Sequence, residues 1–128
     1  MHKGMGFFLA FALAGCAAKS TGVVTDVSQP VIRHSDPVCF LRSPMPSEIK
    51  FTVVGNIEGS KDTYGSVNEV LPLMAEEARK MGADAVINFW SGQRIGLWAW
   101  ARPMGTGTAI KLANKADLNC TAAGGQLR

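Results

Sequence analysis

Two kinds of spacing between apolar residues occur in the central part of the chain, and the first is typical of strands. Residues 38–41 form a short apolar run before Pro44 and Pro46, which predicts a first strand. Residues 49–58 alternate imperfectly, but they are rich in β-branched side chains and stop at a Gly-Ser pair. This composition predicts a second strand.

The second spacing predicts a helix. Ser66 and Glu69 have the spacing of a capping box, in which each side chain satisfies a backbone N–H at the helix start. Pro72 is expected to kink the helix, or to move its regular part towards Leu71, because proline removes a hydrogen bond. Gly82 predicts the helix end. Apolar residues recur every three or four positions and mark one face: Val67, Val70, Leu71, Met74, Ala75, Ala78 and Met81.

Three more strands are predicted after the helix, over residues 83–90, 95–101 and 106–112. Pro103 separates the last two of these strands, and the Met-Gly-Thr-Gly segment at 104–107 predicts a bend or bulge between them. The order is then β-β-α-β-β-β with short connections. This order predicts an α+β fold in which one helix packs on a small, mostly antiparallel sheet.

The first fifteen residues have the layout of an export signal. Lys3 precedes an apolar segment at 7–13, and residues 13–16 (Leu-Ala-Gly-Cys) have the order of a lipobox. The apolar stretch from Met5 to Ala14 is about half of the ~20 residues that a transmembrane helix needs. The pattern predicts a lipoprotein signal peptide over 1–15, removed before Cys16, which then carries palmitate-type acyl chains. An ordinary signal peptide with a chance cysteine is the alternative.

Acylation of Cys16 would attach the protein to a lipid bilayer, because two or three acyl chains anchor stably where one binds reversibly. Ala17, in a place where Asp favours retention in the inner membrane, indicates the outer membrane, with the protein facing the periplasm. Residues 16–36 are rich in small and polar residues and predict a lipidated N-terminus and tether with little structure. The folded domain is then predicted over 37–128.

Charge and cysteine content narrow the classes of partner. Removal of residues 1–15 from the 128 leaves 113, and the net charge falls from +3 to +2 because Lys3 is lost. The basic residues form no run, which argues against a nucleic-acid partner. In an oxidising compartment, Cys39 and Cys120 most simply form one disulfide. Two free thiols, or a thiol that binds a redox partner, is the alternative.

Three segments resemble YbjQ-like domains in their order along the chain: 55–59, 78–86 and 107–111. The same core is similar to that of RcsF-type outer-membrane lipoproteins, which sense envelope stress. The resemblance covers about residues 50–112, and its best part is Gly-Ala-Asp-Ala-Val at 82–86. It implies the RcsF/YbjQ-like fold. RcsF-type domains carry two disulfides, whereas Cys39 and Cys120 allow one here, and the tether is shorter.

No catalytic or metal site is predicted. YbjQ-like domains have been labelled metal binders, but the mature chain has only His34 and no cluster of Cys and His, so no metal or other cofactor is expected. The consecutive residues 34–36 (His-Ser-Asp) cannot converge as a triad does. No helix follows Gly105 to turn its loop into a phosphate site. Glu76, Glu77 and Asp84 are expected on the solvated helix face and at a turn.

The tryptophans are the remaining candidates for a contact surface. Trp98 and Trp100 are two positions apart and would share one face of a strand. They belong to the core if the helix covers that face, and otherwise form an exposed contact surface flanked by Arg94 and Arg102. We expect a split, in which Trp90 packs in the core and the hairpin at 94–103 supplies the contact surface.

These patterns predict a non-enzymatic, membrane-anchored periplasmic lipoprotein that acts by contact with an unidentified envelope protein. Sensing of the envelope state and an accessory role in an envelope assembly are the two activities considered. A periplasmic module that binds a small ligand in an aromatic pocket is the alternative. An envelope enzyme is a third class, without a credible nucleophile, acid–base pair or metal set to support it.

Overall fold

A computed structural model describes residues 18–25, 30–95 and 102–128. In these ranges one α-helix packs on a single six-stranded sheet with strand order β1-β3-β5-β4-β2-β6. Neighbouring strands are antiparallel except β2 and β4, which are parallel. The predicted α+β fold is confirmed. The elements are β1 Lys19–Val24, β2 Cys39–Phe40, β3 Phe51–Ser60, α1 Val67–Lys80, β4 Ala85–Arg94, β5 Arg102–Leu112, a short 3-10 helix Lys115–Asp117 and β6 Gln126–Leu127.

Helix α1 begins as its capping box predicts. The Ser66 hydroxyl accepts a hydrogen bond from the Asn68 N–H at 3.2 Å, and the Glu69 carboxylate accepts one from the Ser66 N–H at 2.8 Å. The helix runs through Pro72 from its first turn, so its regular part does not start near Leu71. It ends before Gly82, whose φ of +75° is in the left-handed region that favours glycine.

Glycines on the sheet let α1 pack closely against it. A Cβ atom on Gly59 would lie 2.7 Å from Cγ of Met74, and one on Gly105 would lie 2.9 Å from Sδ of the same methionine. Both glycines therefore face the helix. The buried helix residues pack there with sheet residues into one core cluster, which includes Val70, Met74, Ala78, Ile57, Val86, Phe89 and Ala109.

A second core cluster lies on the other face of the sheet. Its members Ala85 and Ile87 alternate with Val86 of the first cluster, and successive residues of a strand point to opposite faces. The chain after β5 covers this cluster, and the predicted disulfide between Cys39 and Cys120 holds it there. The disulfide is therefore confirmed in its pairing. Only the part of this face near β2 is covered in this way.

The prediction of little structure over residues 16–36 is wrong for Lys19–Val24. This segment is the edge strand β1 and pairs with Gly55–Ser60 of β3. Its Thr and Val side chains suit a strand, and Val24 packs against the helix-side core. Further along, the His34 N–H donates to the carbonyl of Arg79 at 3.4 Å, so this region also contacts the domain. Cys16 and Ala17 lie outside the described residues.

The predicted interruption at Pro103 is also wrong. Strand β5 runs without a break from Arg102, and residues 104–107 pair in continuous register with β3. Pro103 is tolerated because it is the second residue of the strand, and its carbonyl accepts a hydrogen bond from the Lys61 N–H at 3.1 Å. The irregularities lie elsewhere, between Val53 and Gly55 in β3 and between Ile87 and Trp90 in β4. Of the predicted strand at 95–101, all but Ile95 lies outside the described residues.

Candidate contact surface on the open face of the sheet

The strand register identifies the residues that face away from α1. Since Gly105 faces the helix, its neighbour Thr106 points to the opposite side. Trp90 lies directly across from Thr106, and Arg94 lies directly across from Arg102. All three belong to this side because residues two apart share a face. We call this side of β1, β3, β5 and the second half of β4 the open face.

Trp90 is half exposed on the open face, with 50% of its surface accessible to solvent. The expectation that it packs in the core is therefore wrong. The cause is the irregularity in β4, where Asn88 has a φ of +50° and the pairing register shifts. As a result Phe89, and not Trp90, enters the helix-side core. There it makes an edge-to-face contact with Phe40, with ring centroids 5.2 Å apart.

The two arginines of the predicted contact surface differ in their surroundings. Arg102 donates to the carboxylate of Asp62 at 3.4 Å, and Lys19 reaches the other oxygen of that carboxylate at 3.3 Å. Arg94 is exposed, and its Nε lies 3.0 Å from Sδ of Met104. No carboxylate pairs with Arg94 among the residues that the structure describes. Its charge is therefore the more available of the two for a partner.

Trp98 and Trp100 lie between β4 and β5 and outside the described residues. The sequence question of which face they occupy stays open. Among the described residues, Trp90 is the tryptophan that is exposed on this face.

A shallow groove of about 380 Å³ lies on the open face next to Trp90. Its walls offer hydroxyl and amide groups that can donate and accept hydrogen bonds. Glu58 is the one carboxylate among the described residues that line it. The aromatic pocket considered from the sequence stays a prediction, because Trp98 and Trp100 lie outside the described residues, whereas this described groove is polar. It is lined by Thr21, Val23, Asn56, Ile57, Glu58, Asn88, Thr106, Gly107 and Thr108.

A separate polar cluster joins the segment before β2 to the end of β5. The His34 Nε2–H donates to the carbonyl of Ala83 at 2.6 Å, which leaves Nδ1 to accept the Asp36 N–H at 3.1 Å. The buried carboxylate of Asp84 accepts the Leu112 N–H at 2.9 Å. Sequence spacing could not reveal this cluster, because its members come from three distant segments.

Lys115 completes this cluster by bridging two carboxylates. Its ammonium lies 2.9 Å from Asp36 and 3.3 Å from Asp84. The hydrogen bond from Lys115 lowers the pKa of Asp36, and the two carboxylates raise the pKa of Lys115. Ser35 is exposed and takes no part in these hydrogen bonds, so residues 34–36 are not arranged as a triad. The cluster pairs its own donors and acceptors and attaches residues 30–36 to the domain.

Comparison of the chain with family models, with curated proteins and with solved structures found no match. Within the described ranges, no group of three or more His, Cys, Asp or Glu side chains is arranged to hold a metal ion. The same ranges contain no helix of the length and apolar character needed to cross a membrane.

Proposed function

We propose that the protein is a non-enzymatic periplasmic lipoprotein, anchored to the outer membrane through Cys16, that acts by protein–protein contact at its open face. The lipobox order of residues 13–16 supports the anchor, and Ala17 supports the outer membrane. The resemblance to RcsF/YbjQ-like domains favours envelope sensing, or an accessory role in an envelope assembly. The partner is an envelope protein.

The half-exposed side chain of Trp90, with Arg94 on the same face, is the observation that carries this proposal. Tryptophan and arginine are enriched among the residues that contribute most to protein–protein binding. A tryptophan contributes most when it enters a pocket of the partner and is removed from water. Trp90 is not part of the helix-side core, whose position in this part of β4 is filled by Phe89.

Site-specific photo-cross-linking in living cells tests the proposal. A benzoylphenylalanine residue in place of Trp90 should give one dominant ultraviolet-dependent adduct with an envelope protein. The control places the same residue at Leu73, which is 38% exposed on helix α1. Arg94→Ala should weaken the adduct at position 90 if the two residues form one surface. Equal adducts at both positions, or no adduct at position 90, would contradict the proposal.

The polar groove beside Trp90 supports a second candidate function, the binding of a small polar envelope molecule. Its volume of about 380 Å³ lies within the range of small-molecule sites, although these are usually less open and more apolar. Native mass spectrometry of protein extracted from envelopes should then show a bound mass that Thr106→Val and Asn56→Leu remove. A spectrum of the bare lipoprotein from the same gentle extraction would exclude this candidate.

A further inference from the structure

The start of β1 determines how close the folded domain lies to the lipid anchor. We propose that one end of the sheet docks on anionic phospholipid headgroups of the membrane that holds Cys16. We call this end, with Lys19, Lys61, Arg94, Ile95 and Arg102, the anchor-side end. The inference rests on the proposed acylation of Cys16 and adds an orientation of the domain and a lipid class.

The chain between the anchor and the sheet is very short. Strand β1 begins at Lys19, three residues after Cys16. A residue spans at most about 3.6 Å, so the Cα atoms of Cys16 and Lys19 are no more than about 11 Å apart. The headgroup region on each side of a bilayer is about 5–8 Å thick. Lys19 must therefore lie within or just above the headgroups when Cys16 carries its acyl chains.

The sheet register determines which residues accompany Lys19 to the membrane. Lys19 pairs with Ser60 at the end of β3, and Ser60 pairs with Met104 near the start of β5. Arg94 and Arg102 pair with each other at the same end of the sheet. The opposite end of β3, at Phe51, is about 30 Å away because a strand rises about 3.3 Å per residue.

The charge of this end is complementary to anionic lipid. Its four basic side chains are Lys19, Lys61, Arg94 and Arg102. Asp62 pairs with the first and last of these, and Glu69 pairs with Lys61. Glu58 lines the same groove as these basic residues. Four positive and three negative side chains leave a net charge of +1 at this end, and no described carboxylate pairs with Arg94. Basic residues near a membrane surface are attracted by anionic headgroups.

Exposed apolar surface occurs beside these charges. Ile95 is 74% exposed directly after Arg94. A β-branched apolar side chain next to basic residues is poorly placed in water, but it suits a membrane interface, where apolar groups enter and cations remain at the headgroups.

Docking by this end would place Arg94 and Arg102 at the headgroups and leave the part of the open face around Trp90 accessible. Trp90 is four residues from Arg94 along β4, which places it roughly 13 Å further from the headgroups. The strands would rise from the membrane, and the open face would look sideways into the periplasm. The same orientation therefore serves protein contact at Trp90 and lipid contact at Ile95.

A lipid photo-cross-linking experiment on the full acylated protein tests the docking. The protein is reconstituted in nanodiscs of phosphatidylethanolamine with phosphatidylglycerol, with benzoylphenylalanine in place of Ile95. Ultraviolet light should produce protein–lipid adducts, identified by mass spectrometry. The control position is Val53, which is 43% exposed at the opposite end of the sheet and should give no lipid adduct.

Variants that remove one positive charge test whether lipid labelling at position 95 depends on electrostatic attraction or only on the short tether. Arg94→Gln, combined with the cross-linker at 95, should weaken docking roughly fivefold, since one basic residue near an anionic surface contributes about that factor. Lys50→Gln, an exposed change at the far end, should have no effect, and neutral phosphatidylcholine discs should abolish the difference.

The same spectra distinguish failure of the docking from failure of the anchor. If Cys16 carries acyl chains and positions 95 and 53 label lipid equally, the domain moves freely on its anchor and the docking proposal is wrong. An Arg94→Gln variant that labels as well as the parent would also overturn it. Protein from cells that carries no acyl chain on Cys16 would overturn the anchor, and the docking with it.

Discussion

Phe89 and Trp90 are neighbours in β4 and point to opposite faces of the sheet, and the irregular backbone at Asn88 decides that Phe89 is the one that faces the helix. They provide a matched pair for separating packing from contact. Phe89 is 6% exposed, so Phe89→Ala should lower the free energy of unfolding by ~3–5 kcal/mol. Trp90→Ala should cost less than about 1 kcal/mol, as surface changes usually do.

Urea unfolding of the two variants, followed by far-ultraviolet circular dichroism, measures this difference. The midpoint should fall strongly for Phe89→Ala and little for Trp90→Ala, with similar slopes. A loss of stability in Trp90→Ala as large as in Phe89→Ala would show that the indole is part of the core. The open face would then lose its principal contact residue.

At the scale of elements, the ion pair between Asp36 and Lys115 joins the segment before β2 to the 3-10 helix after β5. Lys115 holds the pKa of Asp36 below its usual value near 3.8. The contribution of Asp36 to stability is therefore complete above that value and is lost as the pH falls through the lowered pKa. The pKa of Lys115 is raised, so its contribution is lost only as the pH rises above its usual value near 10.5.

Substitution of the lysine tests this coupling. Lys115→Met should return the pKa of Asp36 towards its ordinary value, because the ammonium is its nearest stabilising charge. Carboxyl chemical shifts, followed by nuclear magnetic resonance during an acid titration, measure the change. Lys111→Met, another β5-region lysine without a described ion pair to Asp36, is the control. Unchanged titration of Asp36 in Lys115→Met would contradict the pairing.

Signals within short segments of the sequence predicted α1 and the buried strands. Strand β1 and the exposure of Trp90 depend on pairing between distant segments and on local backbone conformation. The capping box and the apolar spacing of α1 lie within one short segment, so they could be read from the sequence. Strand β1 depends on β3, whose pairing residues are more than thirty positions away. The exposure of Trp90 depends on the left-handed conformation of one residue, Asn88, which shifts the register of β4. Regular alternation along the strand would have placed Trp90 on the same face as the buried Val86, and the sequence pattern gives no sign of the shift.

At the scale of the whole molecule, the disulfide between Cys39 and Cys120 closes a loop across 81 positions. Its main effect in the chain-entropy model is to restrict the unfolded chain, which is worth roughly 4 kcal/mol for such a loop. Reduction should therefore lower the free energy of unfolding by about that amount. Hydrogen exchange should increase first after β5, where the disulfide holds the segment that covers the second core cluster.

A variant without both cysteines controls for other effects of the reductant. Cys39→Ala combined with Cys120→Ala should match the reduced parent within the cost of two small core changes, and dithiothreitol should not change its stability further. Equal stability of the oxidised and reduced parent would contradict the prediction. Peptide mapping without reductant should also recover the two cysteines in one linked pair.

Acylation of Cys16 is the prediction on which the placement of the whole molecule depends. The thiol accepts the lipid, so Cys16→Ser should remain unprocessed and should incorporate no radiolabelled palmitate. Cys39→Ser is the matched control, because it removes a thiol outside the lipobox and should leave labelling intact. With Cys16 acylated and β1 starting at Lys19, the start of β1 stays within about 11 Å of the lipid-bearing residue. Undiminished palmitate labelling of Cys16→Ser would therefore remove both the anchor and the membrane orientation derived from it.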